Sequence, residues 1–382
     1  MKINFNFVHF AHTGGIRVLF EIANELVRRG HEVTFTHTCK DSGINWFKVN
    51  VKLVKVSNAY YSFQYLLHRL FRKGAAALSN NRISNQVLNY IYTDKILRGA
   101  MPDCDINIVS NRLTVWPTFR SKKGRPFYLM LGYDAFFESD PEVKELINDF
   151  FKLPINFAAN SIWLRDKIKE DHGITLPIIN PGIDHKMFYP RKANRKSNKK
   201  QVLCFGKKDA WKGFCDAVEA MKIVFKERGD VEWVVYGAEP PAPQNSEAPY
   251  RFVKPANDEE LAGLYSSSDV LFLPSWYESF PLPPIEAMAC GTPVVTTRFG
   301  TEDYAFDGKN CLVVPPREPG KMAESILKLL EDRDLADKFR KNGLKTAEKF
   351  TWKNTVDALE KRFFESLPAD GKGSDEAAPG NQ

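Results

Sequence analysis

At the start of the chain Ile3, Phe5 and Phe7 alternate with Lys2, Asn4 and Asn6. A period of two predicts a β-strand over residues 2–9. A polar loop with two glycines follows, Ala11-His12-Thr13-Gly14-Gly15. From residue 16 the apolar positions Ile16, Leu19, Ile22, Ala23, Leu26 and Val27 form one stripe, with Arg17, Glu21, Glu25, Arg28 and Arg29 around it. That spacing predicts a helix over 16–29 resting on a core. Gly30 ends it, and residues 31–37 return as a strand. Strand, glycine loop, helix and strand in that order open a doubly wound α/β sheet. Shorter strands are expected at 105–110, 126–131 and 155–160, with Asn160-Ser161 capping a helix over 163–170.

After the turn-rich segment 180–190, the plan repeats. Strands are expected at 201–206, 231–237, 251–253 and 269–274, and helices at 214–228 and 257–267. The next stretch, Glu278-Ser-Phe-Pro-Leu-Pro-Pro-Ile-Glu286, holds three prolines in four residues. Proline lacks an N–H and clashes with the preceding turn, so this stretch is no helix interior. Proline does suit a helix's first turn. The expectation is a loop carrying Glu278, then a short helix opening near Pro283-Pro284 with Glu286 in its first turns. Gly291 stops that helix, Val294 to Thr297 starts a strand, and another strand is expected at 311–314. Helices at 321–331, 335–349 and 351–366 close the pattern. The division this predicts is 1–182, a basic linker 183–200, 201–350, a helix 351–366, and a tail 367–382 too poor in apolar residues to pack.

Size and composition narrow the classes. A chain of 382 residues, 43% hydrophobic and 26% charged, exceeds one core and suits two globular domains. No run is long and apolar enough for a bilayer span, and the alternating first segment is not a signal peptide. Six cysteines without C-x-x-C spacing read as thiols in a reducing cytoplasm. The net charge of +7 admits anionic partners. The basic run between Lys186 and Lys200 lacks the pattern of an element and reads as flexible linker, and no nucleic-acid-binding signature accompanies it. Residues 61–73 interleave Phe63, Leu66, Leu67, Leu70 and Phe71 with His68, Arg69, Arg72 and Lys73. Such a stripe fits either an anionic membrane surface or an ordinary helix packed on a core.

Glu278 and Glu286 carry the candidate chemistry. As acid and base they would cleave a glycosidic bond. A glutamate beside the N–H groups of a helix start is expected to have a lowered pKa, which makes it a poor proton donor. Binding fits better, with Glu286 accepting from a ribose diol and Glu278 from a sugar hydroxyl. Lys207 and Lys212, at the C-terminal edge of the second sheet, suit the charge of a departing diphosphate.

The run Glu278–Glu286 with Ala287-Met-Ala-Cys-Gly-Thr-Pro-Val-Val295 resembles the E-x7-E signature of the large retaining, nucleotide-sugar-dependent glycosyltransferase family of GT-B fold. Gly14-Gly15 with its helix, Asn180-Pro-Gly-Ile-Asp184, and Phe205-Gly-Lys207 with Lys212-Gly213 are similar to its other signatures, in the family's order. The resemblance implies two Rossmann-like doubly wound domains with the ligand cleft between them, and a C-terminal helix returning to the first. It implies a hexose moved from a nucleoside-diphosphate sugar to a hydroxyl of a glycan or lipid-linked acceptor, in cell-surface polysaccharide or glycoconjugate synthesis. The expected catalytic residues are Glu278, Lys207, Lys212 and Asp134. The expected donor-binding residues are Gly14, Gly15, Lys207, Lys212, Glu278, Ser279, Phe280, Pro281, Leu282 and Glu286. No cofactor or metal is implied, and a cytoplasmic protein, peripheral on an anionic membrane through its basic segments, is expected. Three positions depart from the family. Lys207 stands for an arginine, Pro281 for a glycine, and Asp134 is the nearest polar residue where a histidine is common. These departures leave a non-catalytic nucleotide-sugar-binding protein, or a sugar-nucleotide epimerase, as alternatives.

Overall fold

The structure, a computed structural model, describes residues 1–39, 44–56, 85–192, 197–241 and 247–367. The stripe at 61–73 and residues 368–382 of the expected tail lie outside them.

Among the described residues twelve strands form two sheets, parallel throughout. The first runs β3(Lys52–Lys55)-β2(Glu32–His37)-β1(Lys2–Phe7)-β4(Ile106–Val109)-β5(Arg125–Met130)-β6(Asn156–Ala159). The second runs β12(Leu312–Val314)-β11(Val294–Thr297)-β10(Val270–Leu273)-β7(Lys200–Phe205)-β8(Val231–Tyr236)-β9(Arg251–Val253). Counted from each sheet's own first strand the order is the same, the doubly wound order of a dinucleotide-binding fold. Helices cover the faces because parallel strands need a crossover between them.

Two of the polar residues that alternate along β1 do not face solvent: Asn4 and Asn6 are fully buried. Asn4 and Asn6 both donate to Asn107 Oδ1, at 3.0 and 2.7 Å, and the Thr36 hydroxyl donates to Asn4 Oδ1 at 2.8 Å. A sheet covered on both faces can bury polar side chains where they satisfy one another.

The expected linker is partly core: Ile183 and Phe188 are buried in the second domain's cluster. Helix Trp352–Ser366 returns to the first domain, where Val356, Leu359 and Phe363 join Ile3, Phe5 and the helix Gly14–Arg28. Phe363 meets Phe127 edge-on at 5.0 Å. Leu367, assigned to the tail, packs on this same core. All six cysteines are free thiols. Among the described residues no helix is long and apolar enough to cross a membrane.

Candidate active site

Strands β7 and β10 are parallel neighbours, Val202 opposite Val270 and Cys204 opposite Phe272. The loops leaving their C-terminal ends therefore emerge together. The turn Ala210–Lys212 is tied to the other loop by Trp276 N–H, which donates to the Trp211 carbonyl at 2.7 Å. Gly213, at φ +67°, lies where a Cβ would overlap the Pro274 carbonyl, so only glycine fits. The outcome is a direct pair: Lys212 Nζ donates to both oxygens of Glu278, at 2.6 and 2.9 Å. The side chains are 17% and 16% exposed. From the other side, Glu278 N–H donates to the Phe299 carbonyl, and Gly300, at φ +86°, packs where a Cβ would overlap the Glu278 carbonyl.

The short helix spans Leu282–Ala289 behind Pro281, as the prolines predicted. Glu286 stands in its second half, 3% exposed. Tyr265 donates its hydroxyl to Glu286 Oε2 at 3.0 Å, and the Tyr236 and Tyr265 hydroxyls lie 2.8 Å apart. Burial pushes the Glu286 carboxyl up, while Arg17 and Tyr265 pull it down. This corrects the expectation that helix-start N–H groups hold a site glutamate low. The carboxyl lies beyond the first turn, its hydrogen bond comes from Tyr265, and desolvation is the largest influence.

The first domain meets this wall through polar contacts. Ser279 Oγ donates to Asn160 Oδ1 at 2.6 Å. Asp303 accepts from Ile162 N–H at 2.9 Å and Asn180 Nδ2 at 2.7 Å, so a second-domain carboxylate caps the helix Ile162–His172 beside its N-cap Ser161. Arg17 places both terminal nitrogens on Asp258, at 2.9 and 2.8 Å.

Other expected site residues fall as follows. Gly14 and Gly15 are the first turn of the helix and not a loop, because Thr13 is the N-cap and its hydroxyl accepts from Ile16 N–H at 3.4 Å. Lys207 is half exposed and pairs with Asp209 at 2.8 Å, apart from the Lys212–Glu278 pair. Phe280 turns its ring into the core against Tyr304 and Phe350. The Pro281 carbonyl accepts from the Tyr304 hydroxyl at 2.7 Å. Leu282 touches the cores of both domains. Asp134 opens the short helix Asp134–Phe137 among Arg112, Glu138, Tyr90 and Tyr128; burial raises its carboxyl and Arg112 opposes this. On the same helix Phe136 meets Tyr277 of the second domain edge-on at 4.8 Å. Sequence reasoning missed Arg17, Asp258, Tyr265, Asn160 and Asp303 as site neighbours. Arg17 had one available signal: it stands two residues after the glycine pair.

Two facing, doubly wound domains with this polar seam define the GT-B fold. Residues 199–332, within the second domain, match the family model for glycosyl transferases group 1. The D-inositol 3-phosphate glycosyltransferase of Corynebacterium jeikeium is 40% identical over 129 residues, 34% of this chain and 31% of that protein. Its namesake in Corynebacterium urealyticum is 39% identical over 119 residues, 31% and 28% of the two chains. The chain thus spans about a third of the length of the curated relatives it matches. Sucrose-phosphate synthase from Thermosynechococcus elongatus superposes with TM-score 0.74 at 18% identity, over 95% of this chain and 98% of that one. HepE of Anabaena, in complex with UDP-glucose, gives 0.69 at 16% identity, over 96% and 100%.

Proposed function

We propose that this chain is a retaining glycosyltransferase that moves a hexose from a nucleoside-diphosphate sugar to a hydroxyl of a glycan or lipid-linked acceptor. The observation that carries the reading is the partly buried Lys212–Glu278 pair at the joined ends of β7 and β10, inside the family-matched domain. Ligands of parallel sheets bind at that edge. In this reading a diphosphate replaces Glu278 as the anionic partner of Lys212, and Glu278 is released to a hexose hydroxyl. Lys207 turns from the surface to the same diphosphate, and Glu286 accepts from the ribose. The anomeric carbon–oxygen bond breaks towards the phosphate. The acceptor oxygen attacks from that same face, and its proton passes to the departing phosphate oxygen. The lysines meet the developing negative charge, and no metal is assigned a step.

A nucleotide sugar as donor is supported by the neighbour that holds UDP-glucose. A sugar-ring acceptor is supported by Phe136, 42% exposed, on the first-domain side of Tyr277. A role in polysaccharide or glycoconjugate synthesis and a cytoplasmic setting belong to the same proposal, the latter supported by six free thiols.

The test is transfer to a sugar acceptor from a panel of nucleoside-diphosphate hexoses, with the product's anomeric configuration read by NMR. Retention is expected, and inversion overturns the mechanism. A thermal shift with each nucleotide sugar checks binding, because a ligand at about a hundred times its Kd adds about 2.7 kcal/mol. No shift with any member sinks the reading.

A further inference from the structure

Glu286 lies in the second domain, and the positive charge that acts on it comes from the first. Helix Gly14–Arg28 delivers Arg17 in its first turn, and the guanidinium is fixed by its two-pronged grip on Asp258. Asp258 opens the helix Asp258–Ser266, and Tyr265 near the far end of that helix donates to Glu286. One cation thus pins the element that holds Glu286 and also lowers the cost of its charge. A second cation, Arg191, lies against the helix Asp258–Ser266, paired with Glu259 at 3.3 Å and acting on the Cys290 thiol, and the other groups named here are acidic or neutral. Glu21 stands one turn beyond Arg17, with Asp184 and Asp258 acting on it. Tyr265 and Tyr236 complete the buried chain, and Cys290 follows on the Glu286 helix. A buried carboxylate without a cation takes up a proton, and then loses its strength as an acceptor.

We infer that Arg17 is a positioning residue for nucleotide recognition, reaching across from the first domain to keep Glu286 ready to accept hydrogen bonds from a ribose diol. This rests on the ribose role proposed above. It makes donor recognition a property of two joined domains, although the recognising carboxylate belongs to one. A different function for the contact, a pin that merely holds the domains together, would weaken every ligand alike and at every pH.

The experiment titrates the full chain calorimetrically with uridine and guanosine diphosphates, and with their 2′,3′-dideoxy analogues, between about pH 6 and 9. Wild type, R17Q, R17K and E286Q are compared. R17Q is expected to weaken the tighter diphosphate about tenfold at neutral pH, the scale of one lost close charge. That loss shrinks as pH rises, because ionisation of Glu286 then needs the cation less, and the dideoxy analogue is unaffected. R17K falls between and keeps the comparison usable if R17Q is poorly folded. An equal, pH-independent loss for both ligands, or no loss, overturns the role of Arg17 alone. If wild type binds neither diphosphate, or E286Q still distinguishes the diol as wild type does, the ribose reading fails and this inference with it.

Discussion

The first and second sheets run in one order, yet they are held by different means. The second buries Val202, Leu203, Cys204, Val234, Val235 and the whole of β10, apolar side chains on both faces. The first buries phenylalanines on one face and, on the other, the ladder of Asn4, Asn6, Asn107 and Thr36, extended by Asn6 donating to Thr118 Oγ1 at 2.9 Å. One sheet is held by volume, the other partly by hydrogen-bond geometry. Volume degrades gradually when an atom is lost, because neighbours relax into part of the space. A closed polar network fails abruptly, because each lost partner leaves a buried donor or acceptor unpaired.

This contrast can be tested from its largest effect downwards. Trp233, 1% exposed and stacked on Phe214 at 5.5 Å, anchors the second core. Trp233→Ala should cost about 3–5 kcal/mol in urea unfolding; a loss under about 1 kcal/mol would remove volume as the basis of that domain. Asn107→Ala removes the acceptor that Asn4 and Asn6 share, leaving their amides only Asn6 Oδ1, the Ile108 carbonyl and Thr118 Oγ1, and should cost about 1–3 kcal/mol. Changing Asn4, Asn6 and Asn107 together to apolar residues should cost less than the sum of the three single changes, and strict additivity would contradict a shared network. Gly300→Ala should cost about 1–2 kcal/mol through its left-handed backbone, and should lower transferase turnover more than stability, because the displaced atom is the Glu278 carbonyl. Equal loss of both would detach that glycine from the site.

The smallest effect is set by pH. Burial pushes the Glu21 carboxyl up to about 7, with Arg17 opposing. The folded protein therefore binds this proton more tightly than the unfolded chain. The stabilising contribution is full below the ordinary carboxylate range and is lost as pH rises through about 7. Glu21→Gln should leave stability unchanged in acid and raise it above neutrality. A gain confined to acid would reverse the assignment.

The sequence disclosed the elements whose patterns are strong, and those include the loops of the second domain. Three prolines located the helix of Glu286 within a residue or two, and the apolar run before them located β10. Elements with weaker signals were missed. β3 is an edge strand of four residues, mostly exposed, so no burial pattern marks it. Helix Asn85–Arg98 carries apolar and polar residues around its whole circumference, and helix Val115–Ser121 is only two turns long. The site divided in the same way. Placement within one strand–loop–helix unit could be inferred, as with Glu278 on the loop before the Glu286 helix, whereas the Lys212–Glu278 pair joins two such units and was not foreseen. Arg17 with Asp258, or Asn160 with Ser279, join positions more than a hundred residues apart, which no local spacing encodes. The Glu286 error had a related origin: helix position was readable, but the burial that outweighs it depends on Tyr265 and on the other domain.

Helix Trp352–Ser366 lends its residues Val356, Leu359 and Phe363 to the core of the first domain. A ribosome releases the chain from its N-terminus, so residues 1–182 emerge first but lack that piece of their interior until residue 363 is clear. The second domain, whose strands and helices end with Ala347, can be completed earlier. Order of synthesis and order of completion are therefore reversed. During translation the domain with Lys212 and Glu278 matures while its opposite wall is still unfinished.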